Sequence, residues 1–168
     1  IVQFWRALTA RVVPEELAAA SSLLGQRGLE LFSRLSRQDQ RHSLDVYLAL
    51  RAQGYDDPDL LTAGLLHDIG KAACPIPLVY RVAVALLQAF GAGTLDYLAA
   101  HGQHRLLRPF RVAQGHAEIG AQMLQDAGYS ALVVELVRYH HSWPDASESP
   151  EGRWAALAST LRQADGAN

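Results

Sequence analysis

Histidine and aspartate are the residue types in this chain whose arrangement points to chemistry. The sequence holds seven histidines in 168 residues, and one of them, His67, is followed directly by Asp68. Imidazole nitrogen and carboxylate oxygen together suit divalent transition metals. Neighbours on a helix point about 100° apart, yet both side chains can converge on an ion placed over the end of the helix. The pair therefore predicts a metal site.

Further candidate ligands lie on both sides of this pair. His42 precedes it and Asp165 follows it near the end of the chain, and the two would complete the site of one ion. His116 and His140 would then hold a second ion, with Asp68 as the bridge between the two. The simpler alternative is a set of helix-capping and surface side chains that bind nothing.

The elements that carry these residues are predicted to be helices, because apolar residues recur at helical spacing almost throughout. A helix begins at Pro14, with a break near Gly25–Gly28. No run of alternating β-branched residues bounded by hairpin turns is present. The sequence therefore predicts an all-α fold of one domain, with an irregular basic stretch at 101–111. The other helices are expected over about 38–53, 57–70, 78–90, 94–100, 112–126, 131–141 and 152–164.

Composition excludes several other classes of protein. Apolar residues make up 49% of the chain and charged residues 19%, with a net charge of −2, so neither a disordered chain nor a nucleic-acid-coating protein is expected. The lone Cys74 allows no internal disulfide, which fits a reducing compartment, and a cytoplasmic location is expected. No apolar run is long enough to span a membrane, so no membrane partner is expected. The first residue is Ile1 rather than Met, which leaves targeting open.

The order of the candidate ligands resembles that of the HD superfamily of metal-dependent phosphohydrolases. Residues 41–46, Arg-His-Ser-Leu-Asp-Val, are similar to the first-histidine helix of that family. Residues 65–71, Leu-Leu-His-Asp-Ile-Gly-Lys, closely match its central signature. The resemblance covers about residues 38–168, which are expected to form an HD-type helical bundle. Residues 1–37 are expected to be helices that pack on this core, and they are also a candidate element for a homodimer.

The resemblance implies roles for individual residues. Asp68 and Lys71 would be catalytic, and Lys71 would also contact a substrate phosphate. A separate expectation comes from the charges just before His116: Arg105 and Arg108, in a basic cluster that also contains His101, His104 and Arg111, would bind further phosphate. His141 would contact substrate. The implied metal ligands are His42, His67, Asp68, His116, His140 and Asp165.

One branch of the superfamily, the HD-GYP cyclic-dinucleotide phosphodiesterases, is expected not to include this chain. In that branch a Gly-Tyr-Pro signature follows the double histidine, and the second histidine is a further ligand. Here Ser142-Trp143-Pro144 follows His141, and Gln38 stands where some members have a glutamate. Hydrolysis of cyclic di-GMP is therefore not expected.

The predicted function is hydrolysis of a small phosphate ester or anhydride, such as a nucleotide, by metal-activated water. The cofactor would be one or two divalent ions of iron, manganese, cobalt, nickel or zinc, with magnesium as a further candidate. Two alternatives stay open. Some HD proteins hold two irons with a similar ligand set and act as oxygenases on small polyols or phosphonates, and others are non-catalytic regulatory domains.

Overall fold

The computed structural model describes residues 12–74, 76–141 and 152–167 of the chain. Every regular element within these ranges is helical, which confirms the predicted all-α fold. The elements in chain order are α1 (Pro14–Ser33), α2 (Arg37–Ala52), α3 (Pro58–Leu66), a 3₁₀ helix (Ile69–Ala73), α4 (Leu78–Phe90), α5 (Ala92–Ala100), α6 (Arg108–Asp126), α7 (Ala131–Arg138) and α8 (Arg153–Ala167).

Helix α3 lies at the centre of the bundle. Its residues 60–66 are apolar or small and all are buried, and the helix packs against α1, α2, α7 and α8. A helix that is apolar on all sides must be enclosed by other elements. Its start is fixed by Asp57, whose side chain accepts hydrogen bonds from the backbone N–H groups of Asp59 and Leu60. The central helix delivers the His67-Asp68 pair to the interior of the bundle.

Helix α1 packs on this core across a kink. Gly25 has φ 62° and ψ −175°, so the predicted break is present. Ala20 and Leu24 before the kink and Leu31 and Phe32 after it are buried in the main core. The kink lets both halves of α1 contribute to one apolar core.

Several helix boundaries differ from the prediction. Helix α6 begins at Arg108 rather than near Val112, because Pro109 occupies the first turn, where its missing N–H costs nothing. Helix α5 begins at Ala92 rather than at about residue 94, and it has no side-chain cap. Helix α3 ends at Leu66, and helix α7 ends at Arg138. The pairs His67-Asp68 and His140-His141 therefore lie just past a helix end rather than within a helix.

A second, smaller apolar cluster joins α4 and α5 to the start of α6 through Val84, Leu95 and Phe110. Among the described residues no single helix has the length and apolar composition needed to cross a membrane. Pro58–Ala73 and Leu78–Phe90 meet that test only when taken together as a pair bent by 107°.

Candidate metal centre

The His67-Asp68 pair lies between α3 and the 3₁₀ helix. His67 caps the C-terminus of α3, and Asp68 precedes the 3₁₀ helix with φ −93° and ψ 5°. Their exposed fractions are only 0% and 1%. Removing an imidazole and a carboxylate from water is costly unless a partner compensates. Their burial side by side therefore points to a site rather than to helix capping alone.

Gly70 brings this pair against α6. A Cβ atom at Gly70 would lie 1.9 Å from the carbonyl oxygen of His116 and 2.8 Å from the backbone nitrogen of Gly120. Only glycine allows such an approach of two backbones. The 3₁₀ helix therefore rests directly on α6, with Asp68 beside the His116 side chain.

One group of candidate ligands joins α2, α3 and α8. The Nε2 atom of His42 lies 2.8 Å from Oδ1 of Asp165 and 3.3 Å from Nε2 of His67. His67 Nε2 is in turn 3.5 Å from Asp165 Oδ1. Two imidazole nitrogens and one carboxylate oxygen within 4.8 Å of one another can hold a metal ion.

A second group joins Asp68 to α6 and to the end of α7. His116 Nε2 lies 3.3 Å from Oδ1 of Asp68 and 3.0 Å from Nε2 of His141. His140 completes the group, with ligand atoms within 4.8 Å of one another. The other oxygen of Asp68, Oδ2, faces the first group, at 3.6 Å from His67 Nε2 and 4.0 Å from His42 Nε2. The carboxylate therefore presents one oxygen to each group.

Three of the histidines are oriented by their own helices. The Nδ1 atoms of His67, His116 and His140 lie 2.9, 2.8 and 2.6 Å from the carbonyl oxygens of Gly64, Ala113 and Val137. Because a carbonyl oxygen only accepts hydrogen bonds, each Nδ1 must carry the hydrogen. In the neutral ring each Nε2 atom then carries a lone pair, which is the usual arrangement of a metal-binding histidine.

Two buried polar atoms support the same conclusion. Oδ1 of Asp68 and Nε2 of His140 have no hydrogen-bond partner in the part of the chain that the structure describes. In the neutral ring, His116 Nε2 cannot donate to Asp68 Oδ1, because the ring hydrogen is on Nδ1. Buried acceptors that face one another without a donor are unfavourable. A cation between them would satisfy them, so these residues fit a metal ion.

The protonation states of the second group also suit a metal. Burial lowers the pKa of His140 to about 2, with help from the neighbouring histidines. Burial and the charge of His116 lower the pKa of His141 to about 4. Both imidazoles are therefore neutral at pH 7, which is the state that binds metal.

The carboxylates are held in their ionised form. Burial alone would raise the pKa of Asp165, but the His42 and His67 side chains beside it outweigh that effect and lower the pKa. Burial likewise opposes ionisation of Asp68, and the charges of His67 and Lys71 overcome it, so that its pKa lies well below the usual value. Both carboxylates are anionic ligands at neutral pH.

The family model described as HD domain matches residues 40–165 of the sequence. This range is most of the chain and includes all six predicted metal ligands. The chain belongs to the HD-domain family. The curated protein cyclic di-GMP phosphodiesterase PA4108 of Pseudomonas aeruginosa is 30% identical to it over 145 residues. That alignment covers 80% of this chain and 30% of the relative, so the chain spans less than a third of the relative's length. No solved structure shows a significant match.

Lys71 lies at the edge of the HD-domain cluster. Its Nζ donates to Oδ2 of Asp68 at 2.6 Å, one turn of the 3₁₀ helix away, and its side chain is 23% exposed. It is also the one lysine of the sequence, beside 14 arginines. A flexible ammonium group at this point is near both the Asp68 carboxylate and solvent.

Of the other predicted substrate contacts, His141 lies within a group of candidate metal ligands, whereas Arg105 and Arg108 lie outside both groups. His141 lies within the second ligand group, with a side chain that is 52% exposed. Arg105 is exposed and forms no hydrogen bond or ion pair with the ligand groups among the described residues. Arg108 instead donates to the carbonyl oxygen of Ala73 at 3.2 Å. The segment Ser142-Trp143-Pro144 lies outside the described residues, so the expected separation from the HD-GYP branch stays a prediction.

A buried ion pair beside the HD-domain site was not anticipated from the sequence. Both Nη atoms of Arg81, on α4, donate to the Asp39 carboxylate at 2.8 and 2.7 Å. Asp39 is only 4% exposed. The charge of Lys71 helps to lower the pKa of Asp39, and the charge of Asp68 helps to raise the pKa of Arg81. The local signal was the Ser36-x-x-Asp39 spacing of a capping motif, in which the Ser36 side chain accepts from the Asp39 N–H. The pair ties α4 to the start of α2.

Proposed function

We propose that this HD domain is a metal-dependent phosphohydrolase that cleaves a phosphate ester or anhydride, with nucleotides as the expected substrate class. The observation that carries the proposal is the placement of the Asp68 carboxylate between two groups of imidazoles, one oxygen facing each. The first group would hold one divalent ion through His42, His67 and Asp165. The second would hold another through His116 and His140, with Asp68 as the shared ligand.

The ions would be iron, manganese, cobalt, nickel or zinc, with magnesium as a further candidate, since the ligands are imidazoles and carboxylates. Bound divalent ions supply two things to phosphate hydrolysis: a lowered pKa of water and neutralisation of phosphoryl charge. The protein's part is to hold the ligand side chains in place, and four of them, His67, Asp68, His116 and His140, are buried.

Lys71 is proposed to bind the scissile phosphate. Its ammonium is 2.6 Å from Asp68 and partly exposed, so it can turn from this carboxylate to a phosphoryl oxygen without leaving the site. A fixed positive charge at this point stabilises the charge that develops on the phosphoryl oxygens during attack. His141 is proposed to contact the substrate as well, as a neutral imidazole that can donate a hydrogen bond.

The proposal is tested by metal analysis together with a substrate panel. Full-length protein loaded separately with manganese, nickel and iron would be incubated with p-nitrophenyl phosphate, bis-p-nitrophenyl phosphate, nucleotides and cyclic di-GMP. We expect release of phosphate or nitrophenol from at least one non-cyclic substrate by the wild type and none by Asp68→Asn. Asp45→Asn is the matched control, because this α2 aspartate pairs with Arg41 rather than with the cluster.

Two results would overturn the proposal. Oxygen consumption by a di-iron form without phosphate release would favour the oxygenase alternative. A wild type that binds no metal and releases no phosphate would favour the regulatory one. Hydrolysis of cyclic di-GMP would keep the proposed reaction but would contradict the separation from the HD-GYP branch.

A further inference from the structure

A cavity of about 400 Å³ lies beside the metal centre, in the size range of small-molecule sites. It is enclosed by the end of the 3₁₀ helix, the loop after α5 and the first half of α6. None of the candidate metal ligands lines it. Its lining residues are Ala73, Gly102, Gln103, Arg108, Arg111, Val112 and Ile119.

The charge of this cavity is positive and unbalanced. Arg108 and Arg111 line it, and no carboxylate does. Neither arginine forms an ion pair with any residue that the structure describes, whereas Arg41, Arg81 and Arg138 are each paired with acidic side chains. Two guanidinium groups without carboxylate partners in one concave surface favour an anionic ligand.

Both arginines are positioned before any ligand arrives. Nη2 of Arg108 donates to the Ala73 carbonyl oxygen, which leaves its remaining N–H groups available. The stem of Arg111 packs on Gly102, where a Cβ atom would lie 2.3 Å from Cβ of Arg111. Side chains that are already ordered lose less entropy when they bind a ligand.

The cavity and the metal centre share two structural elements. The 3₁₀ helix begins just after Asp68 and ends at Ala73, five residues later. At a rise of about 2 Å per residue, the backbone of Ala73 lies about 10 Å along the helix axis from that of Asp68. On α6, the lining residues Val112 and Ile119 lie on either side of His116 in sequence. One extended ligand could reach both places.

We infer that the Arg108–Arg111 cavity binds a second phosphate group of the substrate, apart from the phosphate that is cleaved. The part of this inference that concerns a cleaved phosphate rests on the proposed function. The part that concerns anion binding in the cavity does not depend on it. It names the substrate class as a molecule with two separated phosphates, such as a nucleoside 3′,5′-bisphosphate. It also assigns Arg111, rather than Arg105, as the partner of Arg108.

The binding test uses inorganic phosphate as the probe. It is titrated into the full chain carrying Asp68→Asn, which disables the metal centre, while the backbone amide signals of Gly102 and Gln103 are followed by NMR. We expect saturable shifts, with affinity weakened at least tenfold when Arg108→Gln and Arg111→Gln are added. Arg34→Gln with Arg37→Gln removes the same charge from exposed residues outside the cavity and is expected to change the affinity less than twofold. No saturable shift, or equal weakening by both double variants, would overturn the inference.

A kinetic test with the metal-loaded enzyme addresses the substrate class. The Arg108→Gln/Arg111→Gln variant is expected to raise KM for adenosine 3′,5′-bisphosphate at least tenfold, and to leave p-nitrophenyl phosphate hydrolysis within twofold of wild type. Equal effects on both substrates would contradict a second phosphate site. If the wild type hydrolyses neither compound, the proposed function has failed, and the phosphate titration alone decides whether the cavity binds an anion.

Discussion

Nε2 of His116 and Oδ1 of Asp68 lie 3.3 Å apart, and with the His116 ring in its neutral form neither atom carries a hydrogen. The Nδ1 hydrogen of His116 is used by the Ala113 carbonyl oxygen, and the pKa of Asp68 lies well below its usual range. Two lone pairs that face each other in a buried site repel unless a positive charge lies between them. This relationship distinguishes a metal centre from an ordinary buried ion pair.

Replacing Lys71 is expected to impair catalysis but not metal binding. Lys71→Ala should keep the wild-type metal content, because Lys71 is not in either ligand group. It should lower kcat/KM for phosphate esters about 10²-fold, since one charged contact to the phosphoryl oxygens is lost. Lys71→Arg, which keeps the charge, is the control and should retain more activity. Unchanged kinetics in Lys71→Ala would remove the residue from the mechanism.

The single lysine also allows a direct observation. Reductive ¹³C-methylation labels the Lys71 amine as the one lysine signal, apart from the chain's α-amino group. Metal loading is expected to shift this signal, because the Asp68 oxygen that Lys71 contacts would become a metal ligand. A signal that is insensitive to metal would show that Lys71 lies away from the centre in solution.

Gly70 is expected to tolerate no side chain. Gly70→Ala would place a methyl group 1.9 Å from the His116 carbonyl oxygen, so the 3₁₀ helix must move off α6. We expect a loss of about 3 kcal/mol or more in the free energy of unfolding. Gly93→Ala is the matched control, because nothing lies within 4 Å of its added Cβ, and it should stay within about 1 kcal/mol of wild type. Denaturant unfolding of the two variants measures the difference. Equal stabilities would mean that the close contact is absent in solution.

The Asp39–Arg81 pair is expected to give the fold a specific dependence on pH. Burial raises the pKa of Asp39, but the hydrogen bonds and charge of Arg81 outweigh it and lower the pKa. A group whose folded pKa is below the unfolded value, about 3.9, stabilises the fold above that pH. The contribution is then lost as the pH falls through the folded pKa.

Asp39→Asn should therefore cost about 2 kcal/mol of stability at pH 7, where a buried charged hydrogen bond is lost. The difference from wild type should shrink below about pH 4. Because Asp68 and Asp165 titrate in the same direction, the informative quantity is the difference between the two proteins at each pH. A difference that is constant from pH 7 to pH 3 would show that Asp39 does not act through its charge.

Much of the site could be predicted because its ligands stand in a recognisable order along the chain. His42 and Asp165 are 123 residues apart yet lie 2.8 Å from each other, as their assignment to one ion requires. Spacing alone could not have shown this contact, since it depends on how α2 and α8 pack across the bundle. The resemblance of the central signature supplied the missing long-range information.

The remaining features depend on three-dimensional detail that a single sequence does not contain. Arg105 and Arg108 were the predicted phosphate contacts, in a stretch before Val112 that was expected to be irregular. Once α6 begins at Arg108, residues 108 and 111 share its first turn and the cavity, whereas Arg105 lies before the helix. The Asp39–Arg81 pair joins residues 42 positions apart, and no local pattern pairs them.

The number of metal ions per chain tests the central claim most directly, and it requires no knowledge of the substrate. Elemental analysis after loading with manganese is expected to give two ions per wild-type chain. The His42→Ala/Asp165→Asn and His116→Ala/His140→Ala variants should each give about one, since each removes ligands from one group only. Asp68→Asn should reduce the content of both sites, because its carboxylate faces both groups. A metal content of Asp68→Asn equal to that of the wild type would contradict the bridged centre.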